Sequence, residues 1–308
     1  MLFSSSLFSD YSFPISPYLF AFISIVGIAA WSLLSRKILR GEKDFIAVGA
    51  STETLSLVLL AAMIILMGPT FGTTAQAAAF DFSTVPLVGW IALIISFLSY
   101  ASAVMLSYKA YQTGEASERA VVTQVQNIWI VLIAAAFLSE PLLPGKILGV
   151  VLISVAAVLC TYRPGKSRWH IEGVKLFVLC AILFGTGSLA DKVAVQYFPL
   201  MLYAPVSFIG SALVALALLG KHAWPRMKAV WKRHHAWMIL FPIFSVVPYV
   251  AFLLAVRELP VSVVGPLLNT NVVLTALGGM ILLGEHEGWP QKLAGALLAF
   301  IGAMMMGA

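Results

Sequence analysis

One acidic side chain stands far from any end of an apolar run. It is Glu53, in the stretch AVGASTETLSLVLL. Its place is about eight residues into the run, roughly 12 Å deep at the 1.5 Å rise of a helix. A charge inside a bilayer costs about 2.5–3.5 kcal/mol on the insertion scale, so it is a functional candidate by default. Two chemistries suit it: a carboxylate that couples transport to protons, or a counter-charge for a cationic substrate. The structural alternative is a Glu beside a wet vestibule, helped by Ser51, Thr52 and Thr54.

A second set of candidates is polar and lies further along. Arg119, Thr123 and Gln126 are spaced i, i+4, i+7 and share one helix face. Gln124 and Asn127 flank them, and Asn269 and Asn271 occupy the matching stretch of the second half. Side-chain amides both donate and accept. They suit the carboxylate, amide or hydroxyl groups of a substrate, or equally hydrogen bonds between helices. Asp191 and Lys192 sit near the end of an apolar run. They fit a local pair, a snorkelling Lys192 or a gate. Trp31, Trp129, Tyr100 and Tyr249 lie inside runs, where they fit a cavity wall that takes a cation or a ring, or plain packing.

No catalytic constellation accompanies these residues. There is no H-E-x-x-H and no Ser/His/Asp or Cys/His arrangement, and the deep acids are too few for an intramembrane aspartyl protease. Cys160 and Cys180 both lie in apolar runs and imply neither a disulfide framework nor a metal site. His222, His234 and His235 sit in a basic connector, which is weak evidence for a metal. Gly185-Thr186-Gly187-Ser188 lacks the spacing of a phosphate loop and reads as close helix packing or loosened backbone beside a cavity. No cofactor, no metal and no enzyme activity are expected.

Such residues need a scaffold that holds them inside a membrane. Of 308 residues, 61% are hydrophobic and 10% charged; the mean hydropathy is +0.97. Soluble domains run about 45–50% apolar and about 25% charged, so a water-soluble domain with one core is excluded. Disorder needs the opposite composition. The net charge of +6 is explained by loop residues that orient membrane helices, and no nucleic-acid partner is expected.

Ten apolar runs have the length of a bilayer span. They are 17–36, 45–67, 87–108, 119–139 and 144–162, then 173–195, 200–219, 237–256, 262–283 and 291–307. A β-barrel does not fit, because the runs are continuous rather than alternating. Residues 1–16 contain no Lys or Arg, so a cleaved signal peptide is not expected. With ten spans, sixteen of the nineteen Lys and Arg fall on one side. That bias places both termini outside.

The chain also repeats itself. Asn127–Leu159 and Asn271–Met305 each carry an apolar helix, a Glu at its end (Glu140, Glu285), a turn with Pro, a Lys, and a Gly-bearing helix (Gly149, Gly295). Tyr100 and Tyr249 each precede a helix end upstream. Five spans per half is odd, so the halves, 1–162 and 163–308, must be inverted in the membrane. Inverted repeats place a substrate site near the midplane at their interface.

At this point the sequence resembles the EamA type of the drug/metabolite transporter superfamily over about residues 17–307. The carrying residues are Ser139-Glu140 and Gly284-Glu285, each followed by a short turn and a Gly-rich last helix, as in Gly295-Ala296-Leu297-Leu298 and Ile301-Gly302. Ala30-Trp31-Ser32, with Lys37 further on, is similar to the start of family repeats. Two departures stand out. Family members often carry a Pro in the fourth helix of each repeat, where this chain has Gln126 and Asn271, with Gly265-Pro266 slightly earlier in the second half. Relatives are usually drawn with both termini cytoplasmic, against the charge count here. The resemblance implies an all-α integral membrane protein of ten helices in two inverted five-helix repeats. Its function would be that of a secondary carrier, moving amino acids, other small metabolites or amphiphilic compounds by alternating access. The expected location is a bacterial inner membrane. The expected partners are a small-molecule substrate and the lipid bilayer; a monomer suffices, and a homodimer stays open. The reading from another class is a membrane scaffold or partner subunit, which would have a sealed, dry centre instead of a cavity lined by Glu53, Gln126 and Asn271.

Overall fold

The computed structural model describes residues 16–67, 77, 79–113, 115–138, 144–161, 171–258, 268 and 270–307. Among them the regular structure is helical, with no strand. In the first half, α1 spans Pro17–Leu39, α2 Phe45–Met67, α3 Leu87–Thr113, α4 Ala116–Val122, α5 Val125–Leu138 and α6 Pro144–Thr161. The second half contributes α7 (Ile171–Ala194), α8 (Leu200–Leu219), α9 (Ala223–Glu258), α10 (Asn271–Leu283) and α11 (Trp289–Gly307).

Local chemistry sets several of these ends. Pro17 opens α1, where its missing N–H costs nothing. Asp44 caps α2 by accepting from the Ala47 N–H at 3.1 Å. A reciprocal box of Glu115 and Glu118 starts α4. Gly284, left-handed at φ 68°, closes α10.

Among the described residues, five stretches are long and apolar enough to cross a bilayer: Pro17–Leu39, Phe45–Leu66, Leu87–Gln112, Val174–Ala194 and Leu200–Ala255, the last running through both α8 and α9. Pro144–Ala156 and Asn271–Leu283 are shorter apolar helices. Large apolar side chains such as Val58, Ile65, Leu66, Leu218 and Ile281 face outward, as lipid-facing surface requires.

Two sequence expectations need correction. The run 119–139 is not one helix, because the chain turns at Thr123-Gln124 between α4 and α5. The Thr123 hydroxyl donates back to the Arg119 carbonyl at 2.8 Å, a bond that bends helices. The connector 220–236 is not a loop either. It is a 3-10 turn at Gly220–His222 followed by the start of α9, whose helical backbone breaks at His234 (φ −127°, ψ 17°).

Packing follows a two-fold pattern. α3 lies along α7, and α1 along α9. Exchanging the two halves, helix for helix, turns the first pair into the second. The pairs α2–α8 and α6–α11 map onto themselves. The last helix packs through small residues: a Cβ on Gly302 would come within 2.9 Å of the Gly149 carbonyl oxygen, and Ala296 and Ala299 are fully buried.

Candidate functional site

A cavity of about 250 Å³ lies between the halves. Its wall takes Trp31 and Ser32 from α1, Glu53 from α2, Tyr100 from α3 and Arg119 from α4. Thr123, Gln124 and Gln126 contribute from the break between α4 and α5. The second half adds Phe184 and Ser188, Ser207, Phe208 and Ser211, Phe244, Ser245, Tyr249 and Phe252, and then Asn271 and Thr275. The helix pair α6–α11 contributes nothing to it.

Three polar groups are built into or behind this wall. The first surrounds Glu53, which is 3% exposed. The Tyr108 hydroxyl donates to Glu53 Oε1 at 2.6 Å. Thr52 in turn donates to Tyr108 at 3.1 Å. One turn on, Ser56 and Ser245 join α2 to α9 at 2.7 Å.

The second group is centred on Asp191, buried in α7. Its carboxylate accepts from Ser96 at 2.7 Å, from Tyr100 at 2.7 Å, and from Tyr203. Tyr100 belongs to the cavity wall, so Asp191 stands one hydrogen bond behind it. The Tyr100 ring meets that of Tyr249 edge-on at 5.9 Å, and Tyr249 pairs with Ser207 at 2.7 Å. Gly187 makes room for this: a Cβ there would sit 2.9 Å from Tyr100 Cε2.

The third is Arg119, 7% exposed. Its guanidinium donates to the Ser32 hydroxyl at 2.8 Å. It also lies 4.9 Å from the Trp31 ring centre, 5.1 Å from Tyr111 and 5.9 Å from Phe184.

Beyond Arg119, one end of the bundle is closed by ionic contacts. Arg36 lies 3.7 Å from Glu285, and Lys292 bonds Glu115. Glu285 also accepts from the Ala116 N–H at 2.9 Å, and Arg36 donates to the Tyr111 carbonyl at 2.7 Å. Further out, Arg226 makes two bonds to Asp44, at 2.7 and 2.8 Å. Arg233 and His234 reach Glu42 at 2.9 and 3.3 Å. Each of these ion pairs joins the first half to the second, whereas the Arg36–Tyr111 bond stays within the first. The Arg226 guanidinium beside Asp44 holds that carboxyl below its ordinary value, against the opposing effect of burial. At Glu42, burial pushes upward, but the Asp44 N–H, Arg233 and His234 together hold the carboxyl below the usual range.

Of the sequence-based candidates, Trp31, Glu53, Tyr100, Arg119, Gln124, Gln126, Tyr249 and Asn271 meet at the cavity. Asn127 stands behind it and donates to Gln124 at 2.8 Å. Trp129 bonds Thr186 at 3.0 Å and is not on the wall. Lys192 is exposed and does not pair with Asp191, whose carboxylate is turned to the hydroxyl cluster. Asn269, Glu140 and Pro266 lie outside the described residues. His234 contacts a carboxylate, and no His/Cys/Asp/Glu group suited to a metal occurs among the described residues. Sequence reasoning missed Tyr108, Tyr203 and the wall serines. Ser96, Tyr100, Tyr108 and Tyr111 fall near one face of α3, and that spacing was the available signal.

Comparison with known proteins places the chain. No curated protein matches it. One solved crystal structure, titled only as that of a protein, superposes with a TM-score of 0.58 at 16% identity, covering 94% of this chain and 97% of the other. That likeness concerns the fold alone. The model of the EamA-like transporter family matches twice, over residues 15–162 and 171–308. Two matches spanning nearly the whole chain, on a bundle of apolar helices around a polar cavity, make this integral membrane protein a member of the EamA-like transporter family, within the drug/metabolite transporter superfamily.

Proposed function

We propose that the protein is a secondary carrier of ten spans in two inverted halves, 1–162 and 163–308, which moves a small organic metabolite by alternating access. The observation that carries this reading is the cavity itself, lined by Glu53, Gln126 and Asn271 from both halves and shut at one end by ion pairs that join those halves. A carrier needs contacts of that kind, because they must form in one state and release in the other. The cavity volume of about 250 Å³ falls near the lower end of the roughly 300–1,000 Å³ common for small-molecule sites. It favours a metabolite of amino-acid size. In this reading Glu53 takes up and releases the coupling proton, and the cavity polar groups hold the substrate. A sealed scaffold would not need a polar cavity between its halves.

The basic end, with Arg36, Lys37, Arg40, Lys43 and the stretch from Lys221 to Arg233, would face the cytoplasm of a bacterial cell and leave both termini outside. The test of transport is uptake into proteoliposomes under an imposed pH gradient, from a metabolite mixture read by mass spectrometry. Gradient-driven accumulation that Glu53→Gln abolishes is the expected result. Accumulation with unchanged pH dependence in that variant would remove Glu53 from coupling.

A further inference from the structure

Three buried cations stand out in the described bundle, and two of them are neutralised. Arg36 faces Glu285, and Lys292 is bonded to Glu115. Arg119 differs. Among the described residues no carboxylate lies within ion-pair distance of its guanidinium, and its one side-chain bond goes to Ser32; its Nε, like that of Arg36, has no hydrogen-bond partner. The faces of Trp31, Tyr111 and Phe184 surround it instead. Aromatic faces attract a cation without occupying its donors as a carboxylate would. The guanidinium has five N–H donors in a planar fork suited to carboxylate. Here it is over nine-tenths buried and forms part of the cavity wall.

A cation kept this way, with donors unspent, fits a partner that arrives from outside. We propose that Arg119 recognises a carboxylate on the substrate, and that the substrate is a small monocarboxylate with an apolar or aromatic body. The proposal rests on the carrier reading of the same cavity and adds the chemical class of its cargo. One guanidinium balances one negative charge. A doubly charged phosphate ester would leave a buried charge uncompensated, at heavy desolvation cost, so the carboxylate is favoured over it. Phe184, Phe208, Phe244 and Phe252 supply the apolar side of the cavity. Gln124 and Gln126, beside Arg119 at the helix break, offer amide donors for the second carboxylate oxygen.

The experiment uses the full-length protein with a defined mixture of carboxylic and amino acids, their methyl esters, the corresponding amines and phosphate esters. Two readouts run in parallel: uptake into proteoliposomes, and the rise in thermal stability of the detergent-purified protein. The expected result is that free carboxylates are taken up or stabilise the protein, while the esters and amines do not. Arg119→Gln is expected to lose at least tenfold of either effect, and Arg119→Lys to keep part of it. Because Arg119→Gln also removes the bond to Ser32, the thermal midpoint of each variant without added compound reports folding, and a carboxylate preference lost in Arg119→Gln but kept in part by Arg119→Lys assigns the effect to the positive charge. Stabilisation without uptake supports the anion site while counting against the carrier reading. Methyl esters or amines acting as well as acids, an Arg119→Gln response equal to the parent's, or no response to any carboxylate in either readout, overturns the proposal.

Discussion

The Tyr108 hydroxyl donates to Glu53 across the α2–α3 contact at 2.6 Å. The bond ties the deepest acid of the first half to a ring that also packs against Trp31 and Phe241, with ring centres 6.4 and 6.1 Å away. The carboxylate is therefore held by one neighbour whose own position is fixed by aromatic packing.

Removing that donor isolates the acid. Tyr108→Phe keeps the ring and deletes the hydroxyl, leaving a buried carboxyl without its bond. A buried group left unsatisfied costs about 1–3 kcal/mol. Thermal unfolding in detergent should show a lower midpoint for Tyr108→Phe, and Glu53→Gln combined with it should recover part of the loss. An unchanged midpoint in the single variant would mean that the bond does not hold Glu53 in place.

Asp191 organises the opposite wall. Its carboxylate accepts from Ser96, Tyr100 and Tyr203. An amide has one oxygen and brings two donors of its own, so Asp191→Asn cannot serve the same three hydroxyls. The expected result is a stability loss of about 1–3 kcal/mol, together with a several-fold rise in transport KM as Tyr100 is released into the cavity. A KM equal to the parent's would show that Tyr100 keeps its place without Asp191.

Much of the fold was legible from hydropathy, since the apolar runs and the helices coincide along most of the chain. The turn at Thr123-Gln124 was not. No Gly or Pro marks it, and Arg119, Thr123 and Gln126, which lie on either side of it, have the spacing of one face of an unbroken helix. The helical start of α9 escaped for a related reason: a basic, His-rich stretch has no apolar run to announce it. At the site, Glu53 and Arg119 could be singled out because charge in a membrane is rare. The serines and Tyr203 could not, because a hydroxyl inside an apolar helix bonds its own backbone as readily as a distant partner, and sequence does not say which.

The acid–base pairs of the closed end set a pH dependence. Asp44 and Glu42 both lie below their ordinary values. A depressed carboxyl contributes stability that is present above its unfolded value, 3.8 for Asp44 and 4.5 for Glu42, and is lost as pH falls through the lower folded value. Arg226→Gln should therefore lower the unfolding midpoint at pH 7, with the gap to the parent closing as pH falls below about 4. A gap that stays constant with pH would argue that Arg226 acts by packing alone.

Gly187 lets α7 approach the Tyr100 ring closely behind the cavity wall. Adding a methyl group puts a Cβ 2.9 Å from Tyr100 Cε2, so the ring that bonds Asp191 must shift to make room. Gly187→Ala should reduce transport about tenfold, an effect of roughly 1.4 kcal/mol, while the protein stays folded by size-exclusion chromatography. No further loss when Gly187→Ala is added to a Tyr100→Leu background would identify the clash as the cause. Full activity of Gly187→Ala alone would show that the ring has slack.

The charges at the closed end are not shared evenly. Three of the four Arg and Lys partners named there, Arg226, Arg233 and Lys292, come from the second half and meet acids of the first, with only Arg36–Glu285 reversed. All four contacts cross from one half of the chain to the other, so no motion that parted the halves at this end could spare any of them: opening here means separating four pairs of opposite charge at once.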